Sequence, residues 1–166
     1  MAADAETILS FALTALACLA AAVADLRTQR IPNRITFPAM AVLLAVHGAF
    51  SGLPGLADSA LGLAGGFVIF LIPHIFKVLG AGDVKLMAVV GAGLGAGAVV
   101  TAVLFTSVAG GLLLLSWLAW LHLAGRTGRR PGFRPCYGPA IAVGALAAMA
   151  LRLAGQPYIT LRLPWL

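Results

Sequence analysis

LMAVVGAGLGAGAVVTAVLFTSVAGGLLLLSWLAWLHLAG, residues 86–125, runs for 40 residues without one Asp, Glu, Lys or Arg. A soluble domain carries roughly a quarter charged residues and does not sustain such a run. A helix crossing a bilayer needs about 20 apolar residues, so this stretch is long enough for two. The glycine-rich GAGLGAG at 91–97 supplies a turn between them. The sequence therefore predicts an all-α polytopic membrane protein.

Working outward, charged residues cut the rest of the chain into further apolar segments. On the N-terminal side lie 7–24, a basic loop 26–34, then 35–50, the breakers Ser51, Gly52, Pro54 and Gly55, then 56–76 and a glycine-rich polar stretch 77–85. On the C-terminal side a second basic loop, 126–134, precedes a last segment at 137–153. About six transmembrane helices result, in a single membrane-embedded domain over 1–166. Ala22-Val23-Ala24 looks like a leader cleavage site. The residues before the first run include Asp4 and Glu6 and no Lys or Arg, however, and a signal peptide begins with positive charge. The run reads as a retained membrane helix.

Six crossings place the first, third and fifth loops on one side. They hold Arg27, Arg30, Arg34, Lys77, Lys85, Arg126, Arg129, Arg130 and Arg134, nine of the 11 basic residues. The positive-inside rule makes that side cytoplasmic and puts both termini outside. In bacteria this is the inner membrane. Arg152 snorkels from the end of the last helix, and Arg162 lies near the tail. The same asymmetry accounts for the formal net charge of +6, so no nucleic-acid partner is implied; the bilayer is the basic face's partner. Two cysteines, Cys18 and Cys136, exclude a disulfide framework and a four-cysteine zinc site.

The chain has five acidic residues. Asp4, Glu6 and Asp58 fall on the outer side. Asp25, ending the first helix, and Asp83, opening the fourth, are alone on the basic side. An ionisable group at the edge of a bilayer marks function by default. Two adjacent carboxylates share one proton, and that state suits peptide hydrolysis: one takes a proton from water while the other polarises the scissile carbonyl. Such a pair needs no metal and no cofactor. The residues alone leave other readings open. Asp25 suits an ion pair with Arg27 or Arg30, and Asp83 suits a helix N-cap. A proton-coupled transporter or channel would use the pair as a relay, and a non-catalytic subunit of a secretion assembly would use it structurally.

The contexts are Asp25-Leu-Arg-Thr-Gln-Arg-Ile-Pro-Asn33 and Gly80-Ala-Gly-Asp-Val-Lys-Leu86, with Tyr137-Gly138-Pro139-Ala140 opening the last segment. Together they resemble the prepilin peptidases, membrane aspartyl enzymes that trim type IV pilin-like precursors. The Gly-x-Gly-Asp block is also similar to that of other intramembrane aspartyl proteases, including the presenilins. Cys136 stands where many prepilin peptidases have proline. The resemblance implies Asp25 and Asp83 as the catalytic pair, and a prepilin or pseudopilin precursor as substrate. It implies supporting roles for Gly80, Gly82, Lys85, Pro32, Asn33, Tyr137, Gly138 and Pro139. The larger bifunctional members add a cysteine-rich zinc loop and methylate the product. This chain looks like the short Tad-type (Flp) form without that loop, so methyl transfer is not expected.

Gly80 and Gly82 suit a tight bend and close substrate approach to Asp83. Pro32 stiffens the first loop, and Asn33 suits an N-cap for the second helix. Lys85 either tunes the aspartates or anchors at the membrane face. His47, His74 and His122 lack metal-ligand spacing and read as core or interface residues. Trp117, Trp120 and Trp165 suit anchoring, and the many small residues suit close helix packing.

Overall fold

A computed structural model describes residues 2–123 and 136–159, with side chains from residue 5 onward. The second basic loop, Arg162, Trp165 and the side chain of Asp4 lie outside the described residues. Among those described, every regular element is helical. Helix α1 is Ala2–Thr28, α2 is Asn33–Ile75, α3 is Ala81–Leu94, α4 is Val99–Leu123 and α5 is Gly138–Leu153. A short 3₁₀ turn, Ala96–Ala98, joins α3 to α4.

The expected break at 51–55 is sharper than a loop. Gly52 alone leaves the helical region, at φ 64 and ψ −151, and divides α2 into two arms. Only glycine reaches that conformation without strain. Pro54 follows within the first turn of the second arm, where its missing N–H costs little. At 91–97 the expected turn is realised at Gly95, φ 80, which ends α3. Asp58 Oδ1 accepts the N–H of Ala96 at 3.3 Å and fastens that turn to the second arm of α2.

Among the described residues three stretches are long and apolar enough to cross a bilayer: Ala5–Thr28, Asn33–Ile75 and Ala96–Leu123. The middle one has 43 residues, about twice a single crossing. α3 and α5, with 14 and 16 residues, are shorter than the expected segments. Burial explains the short α3. Its residues Asp83, Val84 and 86–93 are all buried, so it is the central rod. The surface is inverted relative to a soluble protein: Ile8, Leu16, Leu61, Ile72, Val108, Leu112, Leu115 and Leu123 are exposed.

Lipid tails are as apolar as leucine, so close packing rather than water expulsion holds such helices together. The second arm of α2 runs against α3 through small residues. Ser59 Oγ donates to Ala92 O at 2.7 Å inside the bundle. A Cβ on Gly62 would collide with the backbone of Gly91, and one on Gly91 with that of Gly62. A Cβ on Gly66 would sit 2.5 Å from Met87 O. At the end of the bundle remote from Asp25, His47 Nδ1 pairs with Glu6 Oε1 at 2.8 Å, and Ser51 Oγ donates to the other oxygen of Glu6. The tail is held there by Thr101 Oγ1, which accepts the N–H of Ile159 at 2.8 Å.

Candidate active site

Asp25 does not end α1, as the sequence suggested; the helix continues to Thr28. Thr28 Oγ1 donates back to Ala24 O at 2.8 Å, and Arg27 adds a cation to the last turn, where the helix dipole favours it. The Asp25 side chain is buried, at 7% exposure, yet polar contacts surround it. Its Oδ2 accepts the N–H of Gly138 at 3.0 Å, and its backbone oxygen takes the Cys136 thiol at 3.4 Å. The ion pair with Arg27 or Arg30 does not form among the described residues; both arginines are exposed.

Asp83 is buried, at 8% exposure. It lies in the first turn of α3, so the Gly-Asp-Lys block is helical rather than loop. Its Oδ2 accepts the N–H of Gly80 at 2.9 Å. Asp83 thus reaches back to the N-cap residue instead of occupying that position, which belongs to Gly80.

The two carboxylates therefore share a feature absent from the sequence reading. Asp25 closes the N-terminus of α5, and Asp83 closes the N-terminus of α3. Two helix ends, each with unpaired N–H groups and positive dipole, converge on the two acids. The acids lie in each other's electrostatic field. Cys136 sits in the field of both: burial pushes its thiol up, and Asp25 and Asp83 push it further. A thiol so disposed is a poor nucleophile.

Asn33 does not cap α2. Pro32 holds the N-cap position at φ −72, ψ 140, and Asn33 is the first helical residue. Its Oδ1 accepts from Lys85 Nζ at 2.8 Å, and the same ammonium lies 5.2 Å from the centroid of Phe37. Lys85 is therefore engaged with the start of α2. Gly80 and Gly82 are not in left-handed conformation; at Gly82 the requirement is space, because a Cβ there would come within 2.9 Å of Ile31 Cβ. Tyr137 precedes α5 and senses Asp83. Its ring lies 6.2 Å from that of Phe70, tilted by 55°, and rests on Gly110. Pro139 stands in the first turn of α5, where its ring is tolerated.

His74, read from the sequence as a core or interface residue, is a neighbour of Asp83. Asp83 lies in its field, and its Nδ1 meets Leu79 O at 2.9 Å across the α2–α3 turn. Nothing in its spacing signals this. His47 belongs to the opposite end, and His122 is exposed. Among the described residues no three His, Cys, Asp or Glu side chains cluster to hold a metal. A cavity of about 290 Å³ lies at the opposite end, between Thr7, Ser10, His47, Asp58, Arg152 and Tyr158, away from both acids.

Residues 12–115 match the model of the type IV leader peptidase family. The chain belongs to the type IV leader peptidase family. This membership, with the three long apolar helices, makes it an integral membrane protein. It is 31% identical over 154 residues to the prepilin leader peptidase/N-methyltransferase of Dickeya chrysanthemi, covering 86% of this chain and 52% of that protein. It is 32% identical over 156 residues to the proteins of the same description from Burkholderia pseudomallei strains 1026b and K96243, covering 87% of this chain and 46% of each. The chain thus spans about half the length of the curated relatives it matches. No solved structure matches it. Asp25, Asn33, Asp83 and Lys85 fall inside the leader peptidase match; Tyr137, Gly138 and Pro139 lie beyond it.

Proposed function

We propose that this chain is a membrane aspartyl endopeptidase that removes the leader from type IV pilin-like precursors of the Flp/Tad kind. Asp25 and Asp83 are its catalytic pair. The observation that carries the reading is the convergence of two buried carboxylates, each seated on a helix N-terminus, in a chain of the leader peptidase family.

Two carboxylates in one field hold a single proton between them. In the proposed reaction the charged member takes a proton from a water molecule. The oxygen of that water attacks the scissile carbonyl. The protonated member donates its hydrogen to the carbonyl oxygen, and a proton then passes to the leaving amine. The helix ends stabilise the negative charge without neutralising it. The Gly138 and Gly80 N–H groups hold each carboxylate in a fixed orientation while leaving its second oxygen for water or substrate.

The proposed topology has six crossings: α1, the two arms of α2, α3, α4 and α5. Both aspartates face the cytoplasm, and both termini lie outside. The basic residues of the first and third loops support this side assignment. A precursor with its leader in the cytoplasm and its apolar helix in the bilayer would present the junction at the level of the pair.

Asp25→Asn and Asp83→Asn test the reading together. Asparagine retains an oxygen for the N–H of Gly138 or Gly80, so both variants are expected to insert and fold. Each is expected to lower leader cleavage by about 10²–10⁴-fold, the range lost with a general acid or base. Normal processing by both variants overturns the proposal. Altered proton flux with unaltered processing favours a relay instead.

A further inference from the structure

We infer that the Lys85–Asn33 hydrogen bond is a positioning clamp that sets the separation of Asp25 and Asp83. This rests on the aspartyl peptidase reading above and assigns two residues that touch neither carboxylate.

The two acids stand on different helices, and the segment that follows Asp25 meets the start of α3 at Ile31 and Asn33. Gln29, at φ 53, turns the backbone out of α1, and its N–H closes on Asp25 O at 2.8 Å. Residues 29–32 then lie across the first turn of α3. Contact is made at two points. Ile31 fills the space that a side chain on Gly82 would need. Two residues later Asn33 Oδ1 takes the Lys85 ammonium at 2.8 Å. Phe37, one helical turn beyond Asn33, lies under the same ammonium at 5.2 Å, within cation–π range. Lys85 therefore has two partners, both on the first arm of α2, and its ion-pair partners among the described residues do not include Asp83.

Towards its middle and far end α3 packs through the Gly62–Gly91, Gly66–Met87, Ser59–Ala92 and Thr14–Gly93 contacts. At the acidic end Val84 and Leu86 pack into the core, and the clamp adds a polar restraint on the exposed side of the same turn. Asp83 lies two residues before Lys85, and Asp25 lies eight before Asn33. A lateral shift of the first turn of α3 moves one carboxylate relative to the other. A displacement of about 1 Å in a reacting constellation can cost about 10²-fold in rate.

The test is steady-state cleavage of a purified type IV prepilin precursor by the full-length protein in lipid vesicles, with kcat and KM read separately. Asn33→Ala and Lys85→Met are each expected to lower kcat by about 10²-fold with KM within about twofold. The double variant is expected to be no slower than either single one, because both remove the same contact. Asn33→Asp, which keeps the acceptor oxygen, is expected to retain most of the rate. Asn33→Gln keeps the polarity but moves the acceptor by one methylene, and is expected to lose it; this pair gives the answer even where the alanine variant fails to fold. Unchanged kcat in Asn33→Ala or Asn33→Gln overturns the clamp. So does a rise confined to KM, which would place Lys85 on the leader, or a double variant showing the product of the single losses. A wild-type protein that cleaves no precursor would instead overturn the peptidase reading itself.

Discussion

The backbone N–H of Gly138 donates to Asp25 Oδ2 at 3.0 Å, joining the last described helix to the first across 113 positions of the chain. Nothing bulkier than hydrogen fits at residue 138. A Cβ there would lie 2.9 Å from Asp25 Oδ2 and 3.0 Å from its Cβ. Gly138→Ala is therefore expected to push the Asp25 carboxylate off its helix end. Overpacking of this kind costs about 1–3 kcal/mol. Leader cleavage should fall by more than about 10-fold, measured on protein shown by its melting curve to be folded.

The Gly62–Gly91 contact predicts a different outcome. A side chain at either position meets the partner's backbone, which cannot rotate away. Gly62→Leu and Gly91→Leu are expected to separate the second arm of α2 from α3, with loss of folded protein in detergent. Substitution at Gly97, where a Cβ meets nothing within 4 Å, is the control and should be tolerated.

Cys136 reports the charge of the pair. Burial and both carboxylates raise its pKa, so at neutral pH the thiolate fraction is below that of a free cysteine. Alkylation is expected to be slow and to accelerate only as pH rises above the ordinary thiol range. Replacing both acids, Asp25→Asn with Asp83→Asn, removes the pair's negative charge, lowers the thiol's pKa and should speed alkylation at fixed pH. Mass spectrometry of a Cys18→Ala background isolates the signal, since Cys18 is fully buried. Equal rates with and without the carboxylates would separate Cys136 from the pair.

At the other end of the molecule, Glu6→Ala leaves His47 Nδ1 and Ser51 Oγ without their partner. The His47 bond is half-buried and the Ser51 bond exposed, so their loss costs about 0.5–1.5 kcal/mol, visible as a lower melting temperature. Glu6 stands about 29 Å from Asp25 along α1 at 1.5 Å per residue. Cleavage per folded molecule should therefore be unchanged.

Much of this was legible in the sequence because two strong signals act at long range in composition. Charge-free runs mark membrane segments, and the turn at 91–97 and the break at Gly52 follow from glycine's access to positive φ. Asp25 and Asp83 stood out as the only acids on a basic side. The fine structure of the site was not legible. Asn33 resembles a cap, but Pro32 already holds the extended N-cap conformation and Lys85 takes the asparagine oxygen. The bond from Gly138 to Asp25 is made by a backbone group, which carries no residue identity. The proximity of His74 to Asp83 depends on how the α2–α3 turn folds back through Lys77, at φ 60, a conformation that a lysine does not announce.

In the proposed reaction Asp25 and Asp83 act on one water. The most direct measurement is the distance between the side-chain oxygens of residues 25 and 83 in a structure with an uncleaved precursor bound to the Asp83→Asn protein. The predicted result places the scissile carbonyl between them, with an oxygen of residue 25 and an oxygen of residue 83 both within hydrogen-bonding reach of a single water. Side chains held too far apart to share that water, with the precursor seated, would contradict it.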